Sequence, residues 1–520
     1  MNRALKKISS PDSQFQRRNT MQSGTVSLSA TPGAKGITLL LLSPFIILLS
    51  LVCIELPWFY ALLLNISLAL AGLILLKPVN GMYLLLFTVP ITSFVCYGAV
   101  QADWNFITGM SFIDSVPIYW PLILFTWLGF VMNTWTGNLP GSGMNPLRIP
   151  LLILIIYAGS TVFWSASQSH SFFQFITLLF NVLLFSLIVS LIRDTVILKK
   201  VLWLWTFSIG FQAIFAILSF FFDSELLSKE ILSNFIVGFN FFGSFLQPSG
   251  WPQVASGLQD HHETSLLMNM TAPVALGLLL TCTSRSKKYL LFFLLFLMVF
   301  ITLRTESRSG FGALLIVGAA LFLLLRKLRK KLIRLLIFFG ISIIVIYTAQ
   351  QIAVSLIIQK NFTPRLFSLG LKVIETGDAI DPGLENKEHS RKKLWANSFR
   401  KYSEVFIQGL GVGNLKKEMA APHAHSIYFS FWFDFGLVGI FFLLWLALFL
   451  IKYLIPSLRE QKTQIQIIAS SMTGGILAIC IQGLVDFEYN TTTIWLYLAM
   501  TTAAVNLAEI ERQNKTICLK

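Results

Sequence analysis

Charge is scarce in this chain. Only 12% of its 520 residues are Asp, Glu, Lys or Arg, where a soluble domain carries about a quarter. With 55% hydrophobic residues and a mean hydropathy of +0.71, that deficit excludes an ordinary soluble fold. Cysteines number five (Cys53, Cys96, Cys282, Cys480, Cys518), without a CxxC or paired spacing. A disulfide framework and a cysteine zinc site are therefore not indicated. The first 36 residues hold six Lys and Arg against one Asp12 and lack an apolar core, which argues against a cleavable signal peptide and for a disordered basic cytoplasmic tail. QGLGVGN at 408–414 lacks the strand, Walker lysine and dinucleotide fingerprint that a nucleotide loop needs. The net charge of +16 does not point to nucleic acid, because the basic residues sit mainly in short connectors between apolar runs.

What the chain has in abundance is apolar runs of membrane-crossing length. About fourteen spans are expected, near 37–54, 57–76, 81–99, 116–134, 149–166, 172–192, 200–222, 264–283, 289–303, 310–325, 333–356, 425–451, 466–486 and 492–508. The expected fold class is thus an all-α polytopic integral membrane protein with about 12–14 transmembrane helices. RDTVILKK at 193–200, SRSKK at 284–288 and RKLRKKLIR at 326–334 fall on alternate connectors, as the positive-inside rule asks. Both termini are then expected in the cytoplasm and the opposite face in the periplasm. The expected organisation is a tail over 1–36, a bundle over 37–356, a periplasmic loop over 357–424, C-terminal helices over 425–508 and a tail over 509–520. Within the loop, Trp395, Phe399, Tyr402 and Phe406 recur at helical spacing, which predicts an amphipathic helix on the membrane or the bundle. No sequence repeat supports an inverted-repeat transporter.

Polar chemistry collects on the outer side of this topology. His170, His261, His262, His389, His423 and His425 all fall there, and histidine is the side chain suited to proton transfer near neutral pH. LRTESRSG at 303–310 puts Arg304 and Arg308 where short loops avoid positive charge. Two readings stand: a local ion cluster with Glu306, or arginine forks for a diphosphate at the membrane surface. In the large loop, Arg365 and Arg391 have the same two readings, solvated surface or site, and Arg391 lies one turn before Trp395. The histidines of QDHHE at 259–263 and HAH at 423–425 lack facial zinc spacing, so no metal is expected. Asp434, about two and a half turns into its span, is the one acidic residue at depth and has either a transport role or a neighbouring group to orient.

His425-Ser426, nine residues, then Gly436-Leu437-Val438-Gly439 fit H-[NSQ]-x9-G-x-x-G. This resembles the signature of the O-antigen ligase superfamily, which includes O-antigen ligases, O-antigen polymerases and protein O-oligosaccharyltransferases. TESRSG at 305–310, SRKKLW at 390–395 and IQGLGVGN at 407–414 resemble its other passages, in the same order. GLQDHHE at 257–263 departs from the Pro-Asn found in relatives. The resemblance covers about residues 235–510.

The resemblance implies a GT-C-like membrane glycosyltransferase that needs neither cofactor nor metal. It implies transfer of a glycan en bloc from a polyprenyl-diphosphate-linked donor to an acceptor hydroxyl on the periplasmic face of the bacterial inner membrane. Lipid A–core is the first acceptor expected, followed by another glycan in polymerisation, then protein. On this reading His425 is the base, and Arg308 and Arg391 stabilise the leaving diphosphate. Arg304, Arg365, His262, His423 and Trp395 would contact substrate, with the lipid bilayer as the other partner and no nucleic acid. Gly436 and Gly439 would let the helix behind His425 pack closely on a neighbour. The reading from another class is a solute or ion transporter, which should place ionisable residues near mid-membrane.

Overall fold

The computed structural model describes residues 69–92, 119–137, 147–165, 167–223, 261–305, 307–325, 328–358, 406–414, 426–460, 463–485, 487 and 489–519. The protein is all-α. Its main helices among these residues are α1 (Pro78–Thr92), α2 (Tyr119–Trp135), α3 (Arg148–Thr161), α4 (Gln168–Leu191), α5 (Thr195–Asp223) and α6 (His261–Thr281), then α7 (Arg285–Arg304), α8 (Arg308–Leu324), α9 (Arg329–Ile358), α10 (Ile427–Glu460), α11 (Gln464–Gln482) and α12 (Thr492–Leu519). Six are long and apolar enough by themselves to cross a membrane: α4, α6, α7, α10, α11 and α12. The chain is a polytopic membrane protein. The expected span at 37–54 lies outside the described residues, as does the expected amphipathic helix except for Phe406.

Two compact units divide the chain: Met1–Lys77 with Leu128–Gly141, and Pro78–Trp127 with Ser142–Lys520. In the smaller one, Asn133 Nδ2 donates to the carbonyls of Leu75 (2.9 Å) and Gly129 (2.7 Å). Gly129 allows this approach, since a Cβ there would lie 2.9 Å from Leu75 Cα.

The larger unit is built around α6, most of which is buried. Small residues bring its neighbours close, the usual route to tight contact where lipid is as apolar as leucine. A Cβ on Gly277 would meet Ser471 of α11 at 3.0 Å. Gly475 of α11 faces both the Met270 carbonyl of α6, which its Cβ would reach at 2.8 Å, and the Tyr497 hydroxyl of α12. That hydroxyl donates to the Met472 carbonyl at 2.9 Å. Trp205 of α5 donates its indole N–H to Thr271 of α6 (3.0 Å), and Ser208 of α5 donates to Phe87 of α1 (3.0 Å). These bonds satisfy polar groups that lipid could not.

Several expected spans changed shape, two of them at their charged ends. The short apolar run at 289–303 is the end of a longer helix, because α7 starts at Arg285 with Arg285, Lys287 and Lys288 exposed. Long basic side chains carry their stems along an apolar helix and keep the charge in water, so a helix can begin before its apolar run. Similarly, α12 continues past 508 to Leu519, so the apolar run at 492–508 is the start of a longer helix. Glu509 pairs with Arg512 at 2.7 Å, and Glu511 accepts from Thr463 at 2.7 Å, beside the capping box with which Thr463 starts α11. Lys199 donates to Gln464 at the same end (2.6 Å). The basic connector 193–200 and the α11 start are therefore neighbours.

Gly475→Val should overpack the α6–α11–α12 contact and cost about 1–3 kcal/mol. The expected outcome is a lower thermal midpoint for the detergent-solubilised protein; an unchanged midpoint would contradict the packing described.

Candidate functional site

The opposite end of this unit gathers the polar residues, in two clusters. The first sits where α6, α8 and α11 meet. Ser307 ends the α7–α8 turn and caps α8, its hydroxyl accepting from Gly310 N–H at 3.1 Å. That same oxygen lies 3.0 Å from His262 Nδ1 and 3.1 Å from Ser309 Oγ. Gly310 presses against Ser265 of α6 so closely that a Cβ would strike its hydroxyl. Asn269 donates to the Gly310 carbonyl (2.8 Å), and Gln482 at the end of α11 donates to Ser265 (2.8 Å). One residue on, the Gly483 carbonyl accepts from Ile427 N–H at 2.8 Å, tying the start of α10 to this point.

Of the residues expected at the site, His262 is half-buried in this cluster, Arg308 is exposed as the first residue of α8, and Arg304 is half-buried as the last residue of α7. The end of α7, the starts of α6, α8 and α10 and the end of α11 are thus brought together. Arg365, Arg391, Trp395, His423 and His425 lie outside the described residues, as does Glu306. Ser426, the residue after His425, is buried and begins the turn into α10. Among the described residues no three His, Cys, Asp or Glu side chains gather in a metal-binding group.

The second cluster explains the glycines. α10 is not one continuous helix: it breaks at Gly436, whose φ of 60° and ψ of −149° are non-helical. The break strips carbonyls of their helical partners, and the loop 406–414 replaces them. Leu410 N–H donates to Phe433 O at 2.8 Å, Gly411 N–H to Asp434 O at 3.1 Å, and Leu437 N–H returns to Ile407 O at 3.1 Å. The Tyr157 hydroxyl of α3 donates to Phe435 O at 3.3 Å and Gln408 O at 3.1 Å. Backbone runs so close to backbone that a Cβ on Gly436 would strike Ile407 O, and one on Gly409 would strike Asp434 O. Gly436 was expected to ease helix–helix packing; instead it is the hinge into which a loop docks. The G-x-G passage and the G-x-x-G of the histidine motif are two halves of one joint.

Asp434, 2% exposed, closes that joint. Its Oδ2 accepts from Gly413 N–H at 2.9 Å and from the Tyr489 hydroxyl at 2.7 Å. Val412 is held by α3 and α4: its N–H donates to Thr161 (3.1 Å) and its carbonyl accepts from Ser171 (2.8 Å). Asn414 donates to the Ser165 and Ser171 hydroxyls and to Leu410 O. His170 Nε2 lies 3.1 Å from Gly413 O. The N–H groups from Leu410 to Asn414 are all engaged within the protein. This loop therefore has no row of amides to offer a phosphate, and its glycines serve docking.

Tyr489, Asn414, Ser307 and Tyr157 are residues the sequence did not single out. Asp434 gave the only signal, an acid in a greasy run; its partners are distant in sequence and carry ordinary polar side chains.

An all-helical membrane protein with two hydrogen-bonded polar clusters at one end of its larger unit is the class defined so far. Residues 293–444, from within α7 through the first part of α10, match the family described as O-antigen ligase. That match, over less than a third of the chain, supports a place for this segment in the O-antigen ligase superfamily. No curated protein matches the chain.

Gly436→Ala should strain a backbone region open almost only to glycine, at a cost of about 1–3 kcal/mol before the clash with Ile407 is counted. Gly318→Ala in α8, where a Cβ meets nothing within 4 Å, serves as the control. Thermal midpoints should fall for the first variant and not the second; equal midpoints would contradict the joint.

Proposed function

We propose that the protein moves a glycan en bloc from a polyprenyl-diphosphate carrier to an acceptor hydroxyl on the periplasmic face of the bacterial inner membrane, with lipid A–core as acceptor. The observation carrying this reading is the meeting of Ser307 and Arg308, which lie in the segment matching the O-antigen ligase family, with His262 of α6 and, through the end of α11, with the chain that follows directly on His425.

In this mechanism His425 accepts the proton of the acceptor hydroxyl as its oxygen attacks the anomeric carbon. The bond from that carbon to the phosphate oxygen breaks, and its electrons leave with the lipid diphosphate. Arg308 and Arg391 stabilise the developing charge. Arg308 is suited to this: it is exposed, and it opens a helix whose first-turn amides add positive potential. Arg304, Arg365, His423 and Trp395 contact donor or acceptor. His262 acts beside them, bonded to the Ser307 that sets Arg308. Transport is less well supported, because Asp434, the acid at depth that favoured it, accepts bonds from Gly413 and Tyr489 that hold the fold together.

The test is complementation of a deletion strain, with surface lipopolysaccharide read on a gel. Wild type should restore the ladder. His425→Ala should leave core-only lipid A and accumulated lipid-linked polymer, and Arg308→Ala should cut transfer about 10²–10³-fold. Normal ladders from correctly inserted His425→Ala protein would overturn the proposal, and core capped with one repeat would reassign it to polymerisation.

A further inference from the structure

We propose that Asp434 is a positioning residue for this transfer: its carboxylate locks the loop 406–414 into the break of α10. In doing so it fixes the points from which the arginine-bearing and histidine-bearing segments depart. The inference rests on the functional reading above.

Three stretches of chain meet at one oxygen. Gly413 comes from the loop, Asp434 from α10, and Tyr489 from the turn between α11 and α12. Tyr489 is itself immobilised. Its ring packs on Phe431 (centroids 4.7 Å apart) and Phe435 (5.3 Å), and its carbonyl accepts from the Trp495 indole N–H at 2.6 Å. The same turn is pinned to α4, with Asn490 donating to Gln174 (3.0 Å) and Asn181 donating to Asn490 O (2.9 Å). The carboxylate is thus seated on a rigid platform, and Gly413 is hung from it.

The loop's place in the chain gives this clamp its consequence. Residues 359–405, with Arg365, Arg391 and Trp395, precede Phe406 in the chain, and the Phe406 ring lies against Trp432 (5.2 Å). Residues 415–425, with His423 and His425, leave at Asn414 and rejoin at Ser426. One anchor of that second segment is held by Asp434 and by Asn414's own bonds; the other is held by Ile427 on Gly483. Asp434 is buried and bonded to protein donors, so it touches no substrate. Loosening it would lower the fraction of complexes in attack geometry, where a displacement near 1 Å costs about 100-fold. Donor capture through exposed Arg308, outside the clamp, would persist.

The experiment uses purified full-length protein, lipid-linked glycan extracted from the deletion strain as donor, and core-only lipid A from that strain as acceptor. Asp434→Leu should lower kcat about 100-fold with a much smaller change in donor KM. Asp434→Asn should restore most of it, because an amide oxygen can accept the two bonds that converge on Oδ2. Tyr489→Phe should fall between, and adding it to Asp434→Leu should cost nothing further, since both act through one contact. Wild-type kcat in Asp434→Leu, or a raised KM at unchanged kcat, would overturn the inference. Where Asp434→Leu does not survive extraction, Tyr489→Phe decides: wild-type kcat at an unshifted thermal midpoint overturns it. Inactive wild-type protein would instead sink the transfer reading itself.

Discussion

A broken helix inside a membrane must find new partners for its backbone, because lipid supplies none. In this protein that constraint falls on Gly436. The carbonyls of Phe433, Asp434 and Phe435 and the N–H of Leu437 are satisfied by Leu410, Gly411, Tyr157 and Ile407. Everything distinctive about the site end follows. The loop must carry glycines to come within backbone distance, the acid must sit beside the break to catch the Gly413 amide, and α3 and α4 must offer hydroxyls to hold what remains.

The two polar clusters are joined through α10. Its first turn is tied to the end of α11, which also reaches Ser265 beneath the His262–Ser307 pair. Ten residues on, the same helix receives the glycine loop. The nine-residue gap between Ser426 and Gly436 is therefore the separation of two anchors on one helix. Ser426 at the first anchor and the loop docked at the second are held in register by about two and a half turns of helix.

Hydropathy revealed the fold class and the helices α4, α6 and α11 to within a few residues, since each is a continuous apolar run with polar ends. It misjudged α7 and α12 at their charged ends, where Arg285, Lys287 and Lys288 and the Glu509–Arg512 pair extend the helix beyond its apolar stretch. The break at Gly436 was not legible. Within FDFGLVG, a glycine in a greasy run reads equally as a packing surface, and only a loop distant in sequence makes it a hinge. Asp434 was visible as an anomaly, but its donors were not: one is a backbone amide and the other, Tyr489, lies 55 residues away. The pairing of His262 with Ser307 was likewise hidden, because it depends on how α6 crosses α8 at Gly310.

The central claim is that this membrane bundle performs glycan transfer with loss of a lipid diphosphate. Its most direct measurement is mass-spectrometric quantification of polyprenyl diphosphate released by the purified protein, alongside glycan joined to core lipid A. The account requires one diphosphate released per glycan transferred, with both signals abolished in His425→Ala. Glycan transfer without diphosphate release, or equal signals from the wild type and His425→Ala, would contradict it.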